Sequence, residues 1–293
     1  MTRGTAERHL RTAQAMRDGL APRPALRLTM EGLLVLAAAA RRPVQPDELT
    51  DQARAQLDIL RGHGLIGNLG TPTEQAAPVT RALTAPNVRL RAEIGTAQGR
   101  ATWSAWLGAE RAVVAVRADP GSDDLAVFIV PPGWAPVMAV RWLGIGPRPK
   151  APLGGAARLP LALLQRRLAD PATPIPAGSC GELRALWGQP LVLWGLKAEP
   201  GGFGLLVLDA GQAGFWQALP RGNPATGTSP AGTRTGDAHT GDMRTGDMRT
   251  GDAGRRPPDD VMLCPLPPGE VWRRVARCVV GADAWRRAAH HAG

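Results

Sequence analysis

The stretch Val261–Val280, VMLCPLPPGEVWRRVARCVV, decides how the rest of the chain is read. An apolar run stops at Pro267-Pro268-Gly269, and a helical pattern starts at once. Val271, Val275, Cys278 and Val279 recur at i, i+4, i+7 and i+8, the apolar stripe of an amphipathic helix. Proline stops a strand because it has no N–H for the ladder, and its fixed φ suits the first helical turn. The same construction stands at Leu125–Leu143: LAVFIV, then Pro131-Pro132-Gly133, then WAPVMAVRWL. Two units of strand, Pro-Pro-Gly and helix predict two similar halves.

Composition sets the bounds. The chain has 293 residues, 44% of them hydrophobic, enough for one large domain or two modest ones. Tyr is absent, and Arg carries nearly all the positive charge, with Lys only at Lys150 and Lys197. The net charge of +10 favours an anionic partner, yet the basic residues are scattered and form no run. Cys180, Cys264 and Cys278 are too few and too far apart for a disulfide framework or a zinc site, which fits a reducing cytoplasm. The longest apolar stretch, Gly32–Ala40, is far short of the ~20 residues of a membrane helix. The amino terminus lacks a signal-peptide core, so a soluble, unexported protein is expected, with no membrane insertion.

Along the chain, residues 1–24 read as a flexible polar leader. Thr29 can cap a buried helix over Met30–Ala40, and a second helix is expected over Asp47–Gly62, with Leu49, Ala53, Leu57 and Leu60 on one face. Residues 68–86 read as a loop or short helix. Val88, Leu90, Ala92 and Ile94 then alternate with Arg89, Arg91 and Glu93, a strand with one wet face. Three more strands, Trp103–Leu107, Ala112–Val116 and Leu125–Val130, complete an antiparallel meander. A Gly/Pro-rich connector over 144–160 divides an amino-terminal half, 25–150, from a carboxy-terminal half, 151–293. Helices are expected over Leu161–Leu168 and Gly181–Trp187. A second meander follows at Leu191–Lys197, Gly204–Leu208, Phe215–Leu219 and Val261–Leu266. Residues 220–258 hold a TGDxx repeat, too polar to bury a core, and read as a disordered insertion. An Arg/Ala/His tail ends the chain.

No catalytic signature stands out. Gly62–Gly67 matches GxGxxG in letters, but it follows a helix and opens none, so it reads as a helix stop. No histidine pairs with Cys or a carboxylate at metal spacing, and no cofactor is called for. Asp209 reads as a turn residue, and Asp123-Asp124 and Asp259-Asp260 as solvated turn charges. The helices before RGHGLI resemble a winged-helix unit, which raises a DNA-binding regulator as the alternative function. Four acids against two arginines between Asp47 and Gly64 argue against nucleic acid there. The nine tryptophans should mostly be core. Trp103 and Trp106 differ in strand parity and cannot both face inward without a bulge. Trp194 and Trp216, on strands expected to be neighbours, are candidates for a partner-facing patch.

The order of elements resembles the EspG family, proteins associated with ESX (type VII) secretion in actinobacteria. The likeness rests on several stretches: the helical pair ending in RGHGLI, the turn at Gly144–Pro147, LLVLDAGQAGFWQAL before the last strand, and PLPPGEVWRRVARCVV. It implies an α+β fold, quasi-twofold, in which two antiparallel meander–helix halves form a central sheet flanked by helices. It also implies a non-enzymatic cytoplasmic chaperone for protein transport, binding the hydrophobic tip of PE–PPE heterodimers. The binding surface would lie near Trp194, Leu206, Trp216, Val271 and Val275.

Overall fold

The computed structural model describes residues 25–96, 99–117, 122–149, 151, 155–220 and 260–291. The expected leader and the TGDxx segment lie outside the described residues. The helices are α1 (Met30–Ala39), α2 (Asp51–Gly62), α3 (Ala77–Thr84), α4 (Trp134–Trp142), α5 (Leu161–Ala169), α6 (Gly181–Trp187) and α7 (Pro268–His291). The strands are β1 (Leu26–Leu28), β2 (Val88–Thr96), β3 (Gly99–Leu107), β4 (Ala112–Arg117), β5 (Leu125–Val130), β6 (Ala157–Pro160), β7 (Val192–Glu199), β8 (Phe203–Asp209), β9 (Phe215–Pro220) and β10 (Asp260–Leu266).

All ten strands form one antiparallel sheet in the order β1-β5-β4-β3-β2-β7-β8-β9-β10-β6. The fold is α+β, as expected. Read outward from the β2–β7 junction, the two sides follow one succession. A meander of four strands runs from the centre, and a short strand that precedes the meander in sequence closes the edge. Each meander ends at Pro-Pro-Gly and leads into a helix, α4 or α7.

Alternation along each strand feeds two buried layers. One face presents Val88, Leu90, Ala92 and Ile94 of β2 and Val192, Trp194, Leu196 and Ala198 of β7, packed under Met138 and Ala139 of α4 and Val271, Val275 and Cys278 of α7. The other face is covered in the first half by α1–α3 over Val113, Ala115 and Val127. In the second half α5 and α6 cover Leu208, Trp216, Ala218 and Leu263. A sheet covered on both sides changes the reading of parity. Trp103 is buried on the α4–α7 side, and Trp106 packs half-buried on the α1–α3 side. Both find apolar neighbours, and β3 needs no bulge.

Local chemistry sets the helix ends. Thr29 Oγ1 accepts the Gly32 N–H at 3.2 Å, the N-cap read from the sequence. The second helix begins later than expected, at Asp51, because Thr50 caps it by accepting the Ala53 N–H at 3.2 Å. The preceding Pro46–Glu48 forms a separate 3-10 turn. Both α2 and α4 stop at a left-handed glycine. Gly64 (φ 68°) and Gly144 (φ 67°) each sit where the next N–H reaches back five residues, Leu65 to Leu60 O at 2.9 Å and Ile145 to Val140 O at 3.0 Å.

Three other expectations are corrected. The 144–160 connector is not wholly irregular, because it contains edge strand β6, paired to β10. Residues at the carboxy terminus are not a loose tail, since α7 runs on to His291. Asp209 is more than a turn residue. It is buried and takes both nitrogens of the Arg148 fork, Nε at 3.1 Å and Nη2 at 2.8 Å, while its Oδ1 also accepts the Gly211 N–H at 3.0 Å. Hydrogen bonding to Asp209 raises the Arg148 pKa further above its ordinary value, against a smaller loss from burial. The pair fastens the linker after α4 to the end of β8.

Two measurements check this packing. Gly64 and Gly70 both have positive φ, but a Cβ at Gly64 meets nothing within 4 Å, whereas one at Gly70 would lie 2.2 Å from Val44 O. Gly64→Ala should therefore cost about 1–2 kcal/mol of unfolding free energy, and Gly70→Ala about 2–4 kcal/mol, by urea midpoint. Cys180 is exposed, Cys264 half-buried and Cys278 buried. Burial pushes the Cys264 and Cys278 thiols up, only partly offset by Arg274, so less thiolate forms near neutral pH. Alkylation of the folded chain should modify Cys180 first and Cys278 last. Equal rates would mean that α7 does not seat on the sheet.

Candidate partner-binding surface

The five residues expected to meet a partner fall into two groups on opposite faces of the sheet, Trp194 with Val271 and Val275, and Trp216 with Leu206. Trp194 is 1% exposed on β7, under α7, and Trp216 is 0% exposed on β9, under α5 and α6. The strands are not neighbours, since β8 lies between them, and the two rings lie on opposite faces of the sheet. Val271 and Val275 are the inward stripe of α7 and are fully buried. Leu206 is half-buried on the α5–α6 side. A partner could not touch Trp194, Trp216, Val271 or Val275 without unpacking the core, so their assignment to the surface itself is corrected. They hold the layers that carry it.

Other large apolar side chains of the same helices are exposed. Trp272, next to Val271, is 45% exposed, and Trp134 on the first turn of α4 is 49% exposed. Val137 and Val280 are also exposed, on α4 and α7 respectively. The two helices pack against one another on one face of the sheet. The outward side of this layer therefore displays two tryptophans, one directly after its Pro-Pro-Gly and the other three residues past it. Large apolar side chains are exposed on α1 and α2 and in the loop after α2 as well, at Met30, Leu34, Ile59 and Leu69, but among the described residues the exposed tryptophans are these two. A helical stripe read at i, i+4 and i+7 finds the inward positions. The outward ones are recovered by asking which large apolar residues fall off the stripe.

At the start of α7 the layer has a concavity of 340 Å³, lined by Ile145, Gly146 and Pro147 of the linker and by Gly269 and Trp272. Its charged neighbours lie along the helix. Glu270 takes Arg273 at 3.1 Å, Arg274 at 3.1 Å and Arg277 at 3.4 Å. The Arg274 hydrogen bond, with the three nearby positive charges, holds the Glu270 carboxyl below the usual carboxylate range. Arg274 also donates to Gln217 on β9, which fixes it against the sheet.

Chemistry beyond binding finds little to work with. Among the described residues, no group of three or more His, Cys, Asp or Glu is placed to hold a metal ion, and no helix is long and apolar enough to cross a membrane. His63 is exposed at the stop of α2, so Gly62–Gly67 ends a helix and opens none. The α2 helix does not offer the excess charge a major-groove helix needs, because Arg54 pairs with Asp51 at 3.1 Å and Arg61 lies 3.6 Å from Asp58. Asp260 is held by Arg158 of β6, a cross-strand pair rather than half of a carboxylate dyad.

No family model matches the sequence, and no curated protein matches it. Among solved structures, the chain is similar to the Mycobacterium tuberculosis type VII secretion system chaperone EspG5, solved in complex with a PE25–PPE41 dimer. The two share 14% sequence identity with a TM-score of 0.46, over 86% of this chain and 94% of that one.

Proposed function

We propose that the chain is a cytoplasmic chaperone of the EspG type, which holds the hydrophobic tip of a PE–PPE heterodimer before type VII secretion. The observation that carries this reading is the outward side of the α4–α7 layer, where Trp134, Val137, Trp272 and Val280 stay exposed on helices whose inward sides are fully packed. A chaperone of this kind presents apolar surface to a client while its own net charge keeps copies apart. The chain's +10 charge meets the second requirement. The sequence resemblance at RGHGLI, LLVLDAGQAGFWQAL and PLPPGEVWRRVARCVV points the same way.

Co-expression with PE–PPE pairs encoded beside the chain's own gene tests the reading. A stable complex should elute as one species with at least one pair, and that pair should precipitate when expressed without the chain. Failure to co-purify with any pair, while the chain itself is folded by circular dichroism, would refute it.

A further inference from the structure

The corner where the linker meets α7 joins an apolar concavity to an unbalanced charge. At 340 Å³, the hollow between Ile145–Pro147 and Gly269–Trp272 sits at the lower end of the roughly 300–1,000 Å³ range of ligand pockets. Its walls are side chains without ionisable groups. Along the first turns of α7, three guanidiniums (Arg273, Arg274 and Arg277) share the single carboxylate of Glu270. One negative charge cannot neutralise three positive ones, so the first turns of α7 keep an excess of positive charge, and Arg273 brings it to the edge of the hollow, where its Nε donates to Gly269 O at 3.3 Å. Arg274 is turned toward Gln217 and the sheet, whereas Arg273 and Arg277 stand in solvent with 64% and 68% of their side chains exposed. Each has donors to spare, since a guanidinium carries five N–H groups in a fork that fits a carboxylate.

Shape and charge together select an occupant. An apolar ligand alone would leave the arginines unmet, and a bare anion would leave Trp272 in water. We propose that this corner is a docking site for an acidic peptide segment with an apolar anchor. The anchor enters between Trp272 and Ile145–Pro147, and flanking Asp or Glu side chains engage Arg273 and Arg277. Tryptophan and arginine are the side chains that most often dominate the energy of a protein interface, and here Trp272 and Arg273 are successive residues of one helix, with Arg277 one turn beyond Arg273. The proposal goes beyond the chaperone reading, because it asks only for the charge and shape of this corner and would stand if no PE–PPE pair bound.

The test is fluorescence anisotropy of the full chain with a labelled synthetic peptide in which Asp and Glu flank a Leu-Phe pair. Replacing Leu-Phe by Ser-Ser, or the acids by Lys, should each weaken binding roughly tenfold or more. Trp272→Ala should weaken it by roughly the same factor, as should Arg273→Glu with Arg277→Glu. Leu69→Ala, in the loop after α2, should leave it unchanged. Binding should also weaken as salt rises from about 0.1 M to 1 M, where the Debye length shrinks from about 10 Å to 3 Å. All four positions are exposed, and circular dichroism of each variant checks the fold. Should the charge-reversed pair misfold, Arg273→Gln with Arg277→Gln replaces it. Absence of binding at low salt would overturn the proposal, as would binding indifferent to Leu-Phe or to Trp272. So would anionic vesicles or duplex DNA binding more tightly than the peptide through the same residues, since the occupant would then be another class.

Discussion

The β2–β7 ladder is the constraint on which the molecule depends. It pairs Arg89–Gly95 with Leu193–Glu199 and joins two meanders that would otherwise each present a bare inner edge, open to pairing with other chains. On the α4–α7 side the seam is apolar, with Leu90 opposite Ala198, Ala92 opposite Leu196 and Ile94 opposite Trp194. On the other side Arg91 stands opposite Lys197, a like-charge pair that alone would weaken the junction. Each cation is answered within its own strand, Arg91 by Glu93 at 2.9 Å and Lys197 by Glu199 at 2.7 Å. Screening of two exposed in-strand pairs adds little energy, but it removes the repulsion across the seam. Burial on the first side then decides the register, because a slip of one residue would carry the apolar set into the charged layer.

The equivalent layout of the halves does not make their helices equivalent. α4 is 9 residues long and contacts β3, whereas α7 is 24 residues long and reaches β7, β8 and, across the seam, β2. Gly281 lets α7 lie this close, since a Cβ there would come within 2.9 Å of the Phe203 ring. Thus α7 clamps the ladder from above while the ladder gives it a flat apolar bed. Trp103 and Trp194 lie in this same layer on either side of β2, and their indole N–H groups are buried without a hydrogen-bond partner among the described residues. Trp187 and Trp216 on the other face donate to carbonyls, Thr173 O at 3.0 Å and Ala213 O at 2.9 Å. The central layer therefore draws its strength from buried area rather than from polar contacts.

Much of this was legible from residue order, for local reasons. Thr29 capped its helix, period-two alternation marked β2, and Pro-Pro-Gly ended β5 and β10, because each rule acts within a few residues. The four-residue strand β6 was not legible. It has no room for a period, ends in Pro160, and exists only because β10 offers its edge, a partner about a hundred positions away. The misplacement of Trp194 and Trp216 has a different cause. Alternation separates inside from outside only when one face is wet. On β9 both faces are covered and Phe215 and Trp216 are both buried, so parity does not tell the faces apart there, whereas β7 keeps a wet face at Lys197 and Trp194 falls on its buried parity. Asp209 shows the same limit for charge: an acid after a buried strand looks like a turn residue until Arg148, 61 residues earlier, is seen to close on it.

Those long-range contacts also explain why the corner at Trp272 is fit to bind. Its first wall is the opening of α7, whose direction is fixed by Val271 and Val275 under it. Its second wall is a loop, and loops commonly yield on contact and so add an ordering cost to binding. This one is held at both ends. Gly144 closes α4 with the Ile145 N–H returned to Val140 O, and three residues on, Arg148 is fastened to Asp209 and lies over the Phe215 ring at 5.7 Å. Ile145 is itself buried, Pro147 O accepts from Arg148 Nη1 at 3.3 Å, and proline has few conformations to lose. A partner arriving there meets a surface already in its bound shape, so the apolar area it covers and the charge it meets are not spent on ordering the chain.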